Sequence, residues 1–340
     1  MAIEKIAIVG AGSWGTALAL MLTRKGFDIS LWVFEKELCV ILKEKRENTV
    51  FLPGFFLPER IHPTPVLEEA VRGKSVILLA VPTHVMRETV SRIAPYLDPK
   101  CLVINASKGI ENETLCTVCQ ILNQVLEGGV SLASISGPTF AKEIAGGAPS
   151  ALVAAAETLE TAKRVQGIFS NSTLKVFTST DPLGVEIGGA LKNVIAIATG
   201  ISDGMQLGYN TRAALITRGL VEMTRIGTAQ GARPETFSGL SGMGDLVLTC
   251  TGDLSRNRNV GIKLGQGQKL KDITRDMKMV AEGIRTVKSA YALKNKMKIQ
   301  AAIIEETYRV LHEEKPPQKA LEDLMNVKIY TEFAGVKGFQ

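Results

Sequence analysis

Ile6-Ala7-Ile8-Val9-Gly10-Ala11-Gly12-Ser13-Trp14-Gly15 is the stretch on which the architecture of this 340-residue chain turns. Four apolar residues read as a buried strand, three glycines follow at the spacing G-x-G-x-x-G, and Thr16 to Leu22 then reads as an apolar helix. Each glycine answers a separate requirement: Gly10 allows the tight turn, Gly12 lets a pyrophosphate approach the backbone, and Gly15 lets the helix pack on the strand. The helix start offers unbonded N–H groups and the positive end of its dipole to phosphate. An isolated match of this kind is often only a tight strand–helix turn. At the start of a βαβ unit it predicts a dinucleotide cradle.

Working outward, short apolar runs recur at Ile29–Val33, Val76–Val81, Leu102–Asn105, Leu132–Ile135 and Ala151–Ala155, separated by segments with helical spacing, and 174–177 could add one more strand. Alternating strands and helices predict a parallel sheet covered on both faces. At Asp181-Pro182 the texture changes to that of a helix start with proline in its first turn. Helical spacing then continues through 212–226, 259–264, 280–296 and 301–312. The expected fold is α/β: an N-terminal Rossmann-type doubly wound sheet in residues 1–180 that binds NAD(P), plus an all-α C-terminal domain in 181–340 that carries substrate binding and catalysis.

Composition narrows the function. With 45% hydrophobic and 22% charged residues the chain is an ordinary globular protein of about two domains. Its net charge of +6 is scattered, without a Lys/Arg block and with only 5% aromatics, so nucleic-acid binding is not expected. Five irregularly spaced cysteines give no disulfide framework and point to a reducing compartment. Cys116-Thr-Val-Cys119 lacks a second pair or a ligand His and reads as two cysteines of one amphipathic helix; no metal site is expected. The start at Met1 enters a strand without a secretory pattern, and the apolar run Leu183 to Ile201 is broken by Glu186, Lys192 and glycines. A cytoplasmic protein without stable membrane insertion is expected.

The remaining strand ends point to one edge, because ligands of such sheets gather beyond the carboxyl ends of the strands. The second strand runs into Phe34-Glu35-Lys36, with Glu35 twenty residues past Gly15, where an acid would accept the ribose hydroxyls of NAD and an Arg would suit NADP. Phe34 could lie against adenine. Val81-Pro82-Thr83-His84, Ala106-Ser107-Lys108-Gly109 and Ser136-Gly137-Pro138-Thr139-Phe140-Ala141 are turn-rich and small enough to admit a ligand; each could equally be loop punctuation.

In the helical half, Gly188-Gly189-Ala190-Leu191-Lys192-Asn193 draws attention. The helical neighbours of Lys192 are Gly188, Gly189, Ile195 and Ala196, so its ammonium has no carboxylate on its own helix and is expected to be desolvated. Desolvation lowers a lysine pKa towards the range useful for proton transfer. Gly242-Met243-Gly244-Asp245 delivers a carboxylate that could pair with Lys192 or act as a helix N-cap, the simpler reading in isolation. Ser255-Arg256-Asn257 crowds phosphate-holding groups together, or forms an exposed polar turn. His62, His84 and His312 have no metal-ligand spacing, and no G-x-S-x-G elbow occurs.

Taken in order, Gly10-Ala11-Gly12-Ser13-Trp14-Gly15-Thr16-Ala17, Ser107-Lys108-Gly109, Ser136-Gly137-Pro138-Thr139-Phe140-Ala141, Gly189-Ala190-Leu191-Lys192-Asn193, Gly244-Asp245-Leu246 and Ser255-Arg256-Asn257 resemble the NAD(P)-dependent glycerol-3-phosphate dehydrogenases over nearly the whole chain. The resemblance implies reversible reduction of dihydroxyacetone phosphate to sn-glycerol 3-phosphate, with Lys192 as general acid/base and Lys108 polarising the same oxygen. It implies that Asp245 and Asn193 orient the reacting end, and that Arg256 and Asn257, with Ser255, Gly137 and Thr139, hold the phosphate end. Gly10, Gly12, Ser13, Trp14, Gly15, Phe34, Lys108, Ala141, Arg256, Val280 and Glu282 then line NAD or NADP. Bacterial members often carry His or Arg at the position of Phe34, and Val33-Phe34-Glu35 looks more like the NAD-preferring eukaryotic form. The resemblance also implies a homodimer that supplies phospholipid synthesis. A 3-hydroxyacid or ketopantoate reductase would need a different anion-binding end, and a catalytically dead dinucleotide sensor would not need Lys192 and Asp245.

Overall fold

The computed structural model describes residues 4–126, 129–275, 277, 281–328 and 331–336. The chain forms two compact units, one of Met1–Ser107 with Val118–Pro182, the other of Leu183–Gln340 with the short segment Lys108–Thr117.

The first unit contains β1 (Ile6–Val9), β2 (Ile29–Trp32), β3 (Glu47–Asn48), β4 (Leu52–Phe56), β5 (Ile61–Thr64), β6 (Val76–Leu79), β7 (Leu102–Asn105), β8 (Ser131–Ser136), β9 (Ser150–Ala155) and β10 (Leu174–Ser179). Eight of them make one sheet in the order β10-β9-β8-β7-β6-β1-β2-β5, while β3 and β4 pair as a separate antiparallel ribbon. From β5 to β8 every pairing is parallel. β1, β6 and β7 are buried along their whole length, as strands covered on both faces must be. The chain steps outward from β1 to β2 and β5, then returns to β6 on the other side of β1. That reversal opens a crevice at the carboxyl ends of β1 and β6.

Three features depart from the sequence reading. β9 runs antiparallel to β8, so the sheet is not wholly parallel. β5 and the β3–β4 ribbon fall in a stretch whose prolines and short runs hide them. β5 tolerates Pro63 because it is an edge strand bonded only to β2. Cys116 and Cys119 do not share a helix: the helix there is Val118–Val125, which carries Cys119 alone.

The second unit has no strand among its described residues. Its main helices are Pro182–Gly204, Gly208–Ala229, Asp245–Thr251, Arg256–Gly265, Glu282–Lys296, Ala302–His312 and Pro317–Met325. Val280 lies outside the described residues. Around Pro182–Gly204, called here the lysine helix, Ile187, Leu191, Val194 and Ile195 pack in one core with Met223, Phe237, Leu246 and Ile304. By length and composition alone this helix could cross a membrane, and 94% of its most apolar stretch is buried inside the protein.

Candidate active site

At the carboxyl end of β1 the backbone does the work. Gly10 has φ +115°, a conformation side chains resist, and a Cβ there would meet the Ala80 carbonyl oxygen at 2.8 Å. A Cβ on Gly15 would strike the Gly10 carbonyl, so helix and turn touch. Gly12 differs, because a Cβ there meets nothing within 4 Å. The helix Ser13–Arg24 begins at Gly12 with no side chain bonded to its first N–H groups. An open face over unpaired amides is what a pyrophosphate requires, so the residues present fit a dinucleotide.

Side chains hold this cradle from behind. Asn48, fully buried on β3, donates from Nδ2 to the Ala11 carbonyl at 2.8 Å and to Thr16 Oγ1 at 2.9 Å. Nothing in the local sequence signals this brace, since the two-residue strand that supplies it has no periodicity to read. Trp14 donates from Nε1 to the Ala106 carbonyl at 3.1 Å, and Ser107 from Oγ to the Val81 carbonyl at 2.6 Å, tying the ends of β6 and β7 to the cradle. Phe34, just past β2, is 71% exposed with its ring edge-on to Trp32 at 5.9 Å. Gly137 follows β8 with φ +152°, where a Cβ would meet Leu152 Cα at 2.8 Å. Thr139 Oγ1 donates to the Gly137 carbonyl at 3.0 Å, and Ala141 opens the next helix. Ser13, Trp14, Gly137, Thr139 and Ala141 thus lie at the strand ends of this unit.

In the second unit charge is concentrated in one place. Asp245, 1% exposed, accepts from Lys192 Nζ at 2.5 Å on Oδ1 and from Lys108 Nζ at 2.6 Å on Oδ2. The sequence pattern in isolation favoured a helix N-cap for Asp245; the structure instead gives its carboxylate to the two lysines. The local sequence explains the approach. Gly188, one turn before Lys192, lets the lysine helix cross close over the glycine-rich turn that precedes Asp245: a Cβ at Gly188 would meet the Ser241 carbonyl at 2.7 Å. That turn is a wide one, Leu240–Gly244, and any Cβ at Gly242 would strike the Phe237 carbonyl. Lys108 is anchored through its own segment, since Ser289 Oγ donates to the Ile110 carbonyl at 3.1 Å and to Asn112 Oδ1 at 3.0 Å.

Lys192 is 6% exposed. Burial lowers its pKa to about 8, against the opposing pull of the Asp245 carboxylate, while the neighbouring Lys108 charge pushes further down. Lys192 Nζ also donates to Thr249 Oγ1 at 2.8 Å, and that hydroxyl donates to the Asp245 carbonyl at 2.6 Å. Thr249 was missed by sequence reasoning. It stands four residues after Asp245, on the same helical face, which is the one signal that could have found it.

Ser255 caps the helix Arg256–Gly265, called here the arginine helix, by accepting from Arg258 N at 3.2 Å. It is therefore a helix start rather than the alternative exposed turn. Asn257 Nδ2 donates to Asn193 Oδ1 at 2.9 Å, and its Oδ1 accepts from Gly283 N at 3.0 Å, joining three helices beside Lys192. Arg256 remains exposed, with Glu282 within electrostatic reach. Lys108, Lys192, Asn193, Asp245, Ser255, Arg256, Asn257 and Glu282 all belong to this unit. Among the described residues, no group of three His, Cys, Asp or Glu side chains could hold a metal ion.

A Rossmann-type sheet with a phosphate cradle, joined to a helical unit that buries a lysine beside a carboxylate, defines a nicotinamide-dependent dehydrogenase. Residues 5–162 match the model of the N-terminus of NAD-dependent glycerol-3-phosphate dehydrogenase, and 181–322 match that of its C-terminus. The chain belongs to this family. It is 53% identical to glycerol-3-phosphate dehydrogenase [NAD(P)+] of Geobacter sulfurreducens over 95% of this chain and 97% of that one. The crystal structure of glycerol-3-phosphate dehydrogenase from Coxiella burnetii superposes with TM-score 0.92 at 38% identity, covering 95% of this chain and 98% of the other. A ketopantoate reductase from Ralstonia eutropha shares the fold alone, with TM-score 0.60 at 16% identity over 93% of this chain and 99% of that one.

Proposed function

We propose that this enzyme interconverts dihydroxyacetone phosphate and sn-glycerol 3-phosphate with NAD or NADP, and that Lys192 moves the proton. The observation that carries the reading is the pair of ammonium groups on one buried carboxylate, Lys192 and Lys108 on Asp245 at 2.5 and 2.6 Å. A lysine with pKa about 8 is a proton donor to a ketone oxygen and a base towards the alcohol near neutral pH. The reduced nicotinamide, when bound, supplies hydride to the ketone carbon. Lys108 shares the carboxylate, so a second positive charge stands beside the oxygen that gains charge. Asp245 and Thr249 hold the Lys192 ammonium, and Asn193 is held by Asn257 to orient the reacting end.

Arg256, exposed at the start of its helix, binds the phosphate with Asn257 and Ser255; a guanidinium fork suits three anionic oxygens. Gly137 and Thr139 are assigned to the substrate, and Val280 to the cofactor, by the family pattern alone. Gly10, Gly12, Ser13, Trp14, Gly15, Phe34 and Ala141 serve the dinucleotide, and the family pattern alone adds Lys108, Arg256 and Glu282. Residues 1–180 are thus the nucleotide-binding domain and 181–340 the catalytic domain, to which Lys108 also contributes. The product feeds phospholipid synthesis. Cytoplasmic location is supported by five cysteines that form no disulfide among the described residues; homodimerisation rests on the family pattern.

The test is oxidation of NADH and NADPH with dihydroxyacetone phosphate, with a 3-oxoacid, and with no ketone. Turnover confined to the phosphate is expected. Turnover with the 3-oxoacid alone would overturn the substrate, and tight NADH binding without turnover would leave a sensor. Arg256→Ala should raise KM for the phosphate about 100-fold with a smaller effect on kcat, as loss of a charge-assisted anchor does.

A further inference from the structure

The lysine and arginine helices meet along an unusually bare seam. A Cβ at Gly200 would strike the carbonyl of Arg258, at Gly204 that of Ile262, at Gly261 that of Ile197, and at Gly265 that of Ile201. The two backbones therefore touch over more than a turn of each helix. Such a seam brings helices close, but it has no side-chain ridges to interlock, so it resists sliding poorly. Register must be set elsewhere. At one end stands the Asn257 to Asn193 hydrogen bond. The second pin, which also holds the start of the arginine helix, is Asp203, about 16 Å along the lysine helix from Lys192 at 1.5 Å per residue.

Asp203 has its side chain 8% exposed. Its Oδ2 accepts from Arg258 Nε at 2.8 Å, and its Oδ1 from Arg212 Nε at 2.7 Å. Arg258 is itself buried, and its other partner, Asp253 at 2.9 Å, is 98% exposed and so a weak anchor. Asp203 is thus the buried charge that pins the arginine helix to the lysine helix and to the helix Gly208–Ala229. Arg258 lies two residues beyond Arg256, at the same helix start.

We infer that Asp203 is a positioning residue for the substrate phosphate: through Arg258 it fixes the register of the arginine helix and hence the place of Arg256 relative to Lys192. The inference rests on the assignment of Arg256 to phosphate. Asp203→Asn keeps the shape but turns an N–H towards one of two guanidinium groups, the buried Arg258 or the half-buried Arg212, which must then shift. Misplacement of an anchoring group by about 1 Å costs up to about 100-fold.

The experiment compares dihydroxyacetone phosphate with dihydroxyacetone, which lacks the anchor, in the parent, Asp203→Asn, Asp203→Glu and Arg256→Ala enzymes. For Asp203→Asn, KM for the phosphate should rise about tenfold, kcat should change less than about threefold, and the kcat/KM preference for the phosphorylated ketone should fall about tenfold. NADH affinity by fluorescence titration should be unchanged, and Asp203→Glu should restore part of the preference. A folded Asp203→Asn enzyme with the parent preference, or with equal losses on both ketones, overturns the inference. Should Asp203→Asn fail to fold, Arg258→Lys, which keeps the charge and loses the Nε contact, is read by the same criteria. If Arg256→Ala keeps the parent preference, the phosphate assignment itself is wrong and the inference goes with it.

Discussion

At the carboxyl end of β1 the proposed ligand site is made of backbone: three glycines, unpaired amides, and a braced carbonyl behind them. Beside Lys192 it is made of charge, with two ammonium groups on a carboxylate that is 1% exposed. The two constructions fail differently. A backbone site depends on empty space, so one added methyl can spoil it without touching any charge. A charge site is taken out of water, so removing one ion costs more than any small change of volume.

The largest effect should come from the second construction. Lys192→Ala should lower kcat for ketone reduction about 1,000-fold, the scale of a lost general acid, while NADH affinity stays within about twofold. Steady-state kinetics and fluorescence titration check both; near-parent turnover would remove Lys192 from its role. The parent pH profile belongs to the same prediction. Reduction needs the ammonium and should decline above about pH 8, whereas oxidation of glycerol 3-phosphate needs the amine and should rise towards that pH. The folded pKa lies below the ordinary lysine value of 10.5, so the buried ammonium penalises the native state below about pH 8. That penalty is relieved as pH rises from about 8 to 10.5, where the unfolded lysine still holds its proton.

Gly12→Ala attacks the first construction. The structure has open space at this Cβ, and Gly12 has φ −66°, which alanine adopts readily. Thermal stability should therefore hold within about 0.5 kcal/mol, while the dissociation constant for NADH rises about 30-fold, because the methyl occupies the path of the pyrophosphate. Gly15→Ala is the contrast, since its methyl meets the Gly10 carbonyl and should lower the melting temperature as well. If Gly12→Ala binds NADH like the parent, the open face is not the phosphate site.

Thr249→Val should have a smaller effect, about tenfold in kcat, with KM little changed. It removes the hydroxyl that accepts from Lys192 at 2.8 Å and leaves Asp245 in place. An equal loss in the Lys192→Ala background would show that the threonine acts independently of the lysine.

The contrast between the units also explains what could be read in the chain. Backbone sites need glycine at fixed spacing, so Gly10, Gly12 and Gly15 were legible, and so were the buried strands whose apolar runs surround them. Lys192 was legible because an ammonium among Gly188, Gly189, Ile195 and Ala196 has no local reason to be there. What stayed hidden depends on distant partners. Asn48 acts through a two-residue strand, Asp203 through arginines 9 and 55 residues away, and Thr249 through a lysine 57 residues away. β5 was hidden by Pro63, which only an edge position permits, and the antiparallel turn of β9 leaves no mark in its own apolar run.

The smallest expected effect lies where the first construction does borrow a side chain. Phe34 is 71% exposed and touches Trp32 edge-on, so Phe34→Arg should alter stability by less than about 0.5 kcal/mol. A guanidinium at the end of β2 can meet the 2′-phosphate that distinguishes NADP. Glu35 beside it, also exposed, repels the same phosphate, which limits the gain. The ratio of kcat/KM for NADPH over NADH should therefore rise only about fivefold, close to 1 kcal/mol at 1.4 kcal/mol per tenfold. Phe34→Arg with Glu35→Gln should raise it further by lifting that repulsion. An unchanged ratio in both variants would mean that the end of β2 does not face the adenosine ribose, and that the nucleotide preference is set by another part of the sheet edge.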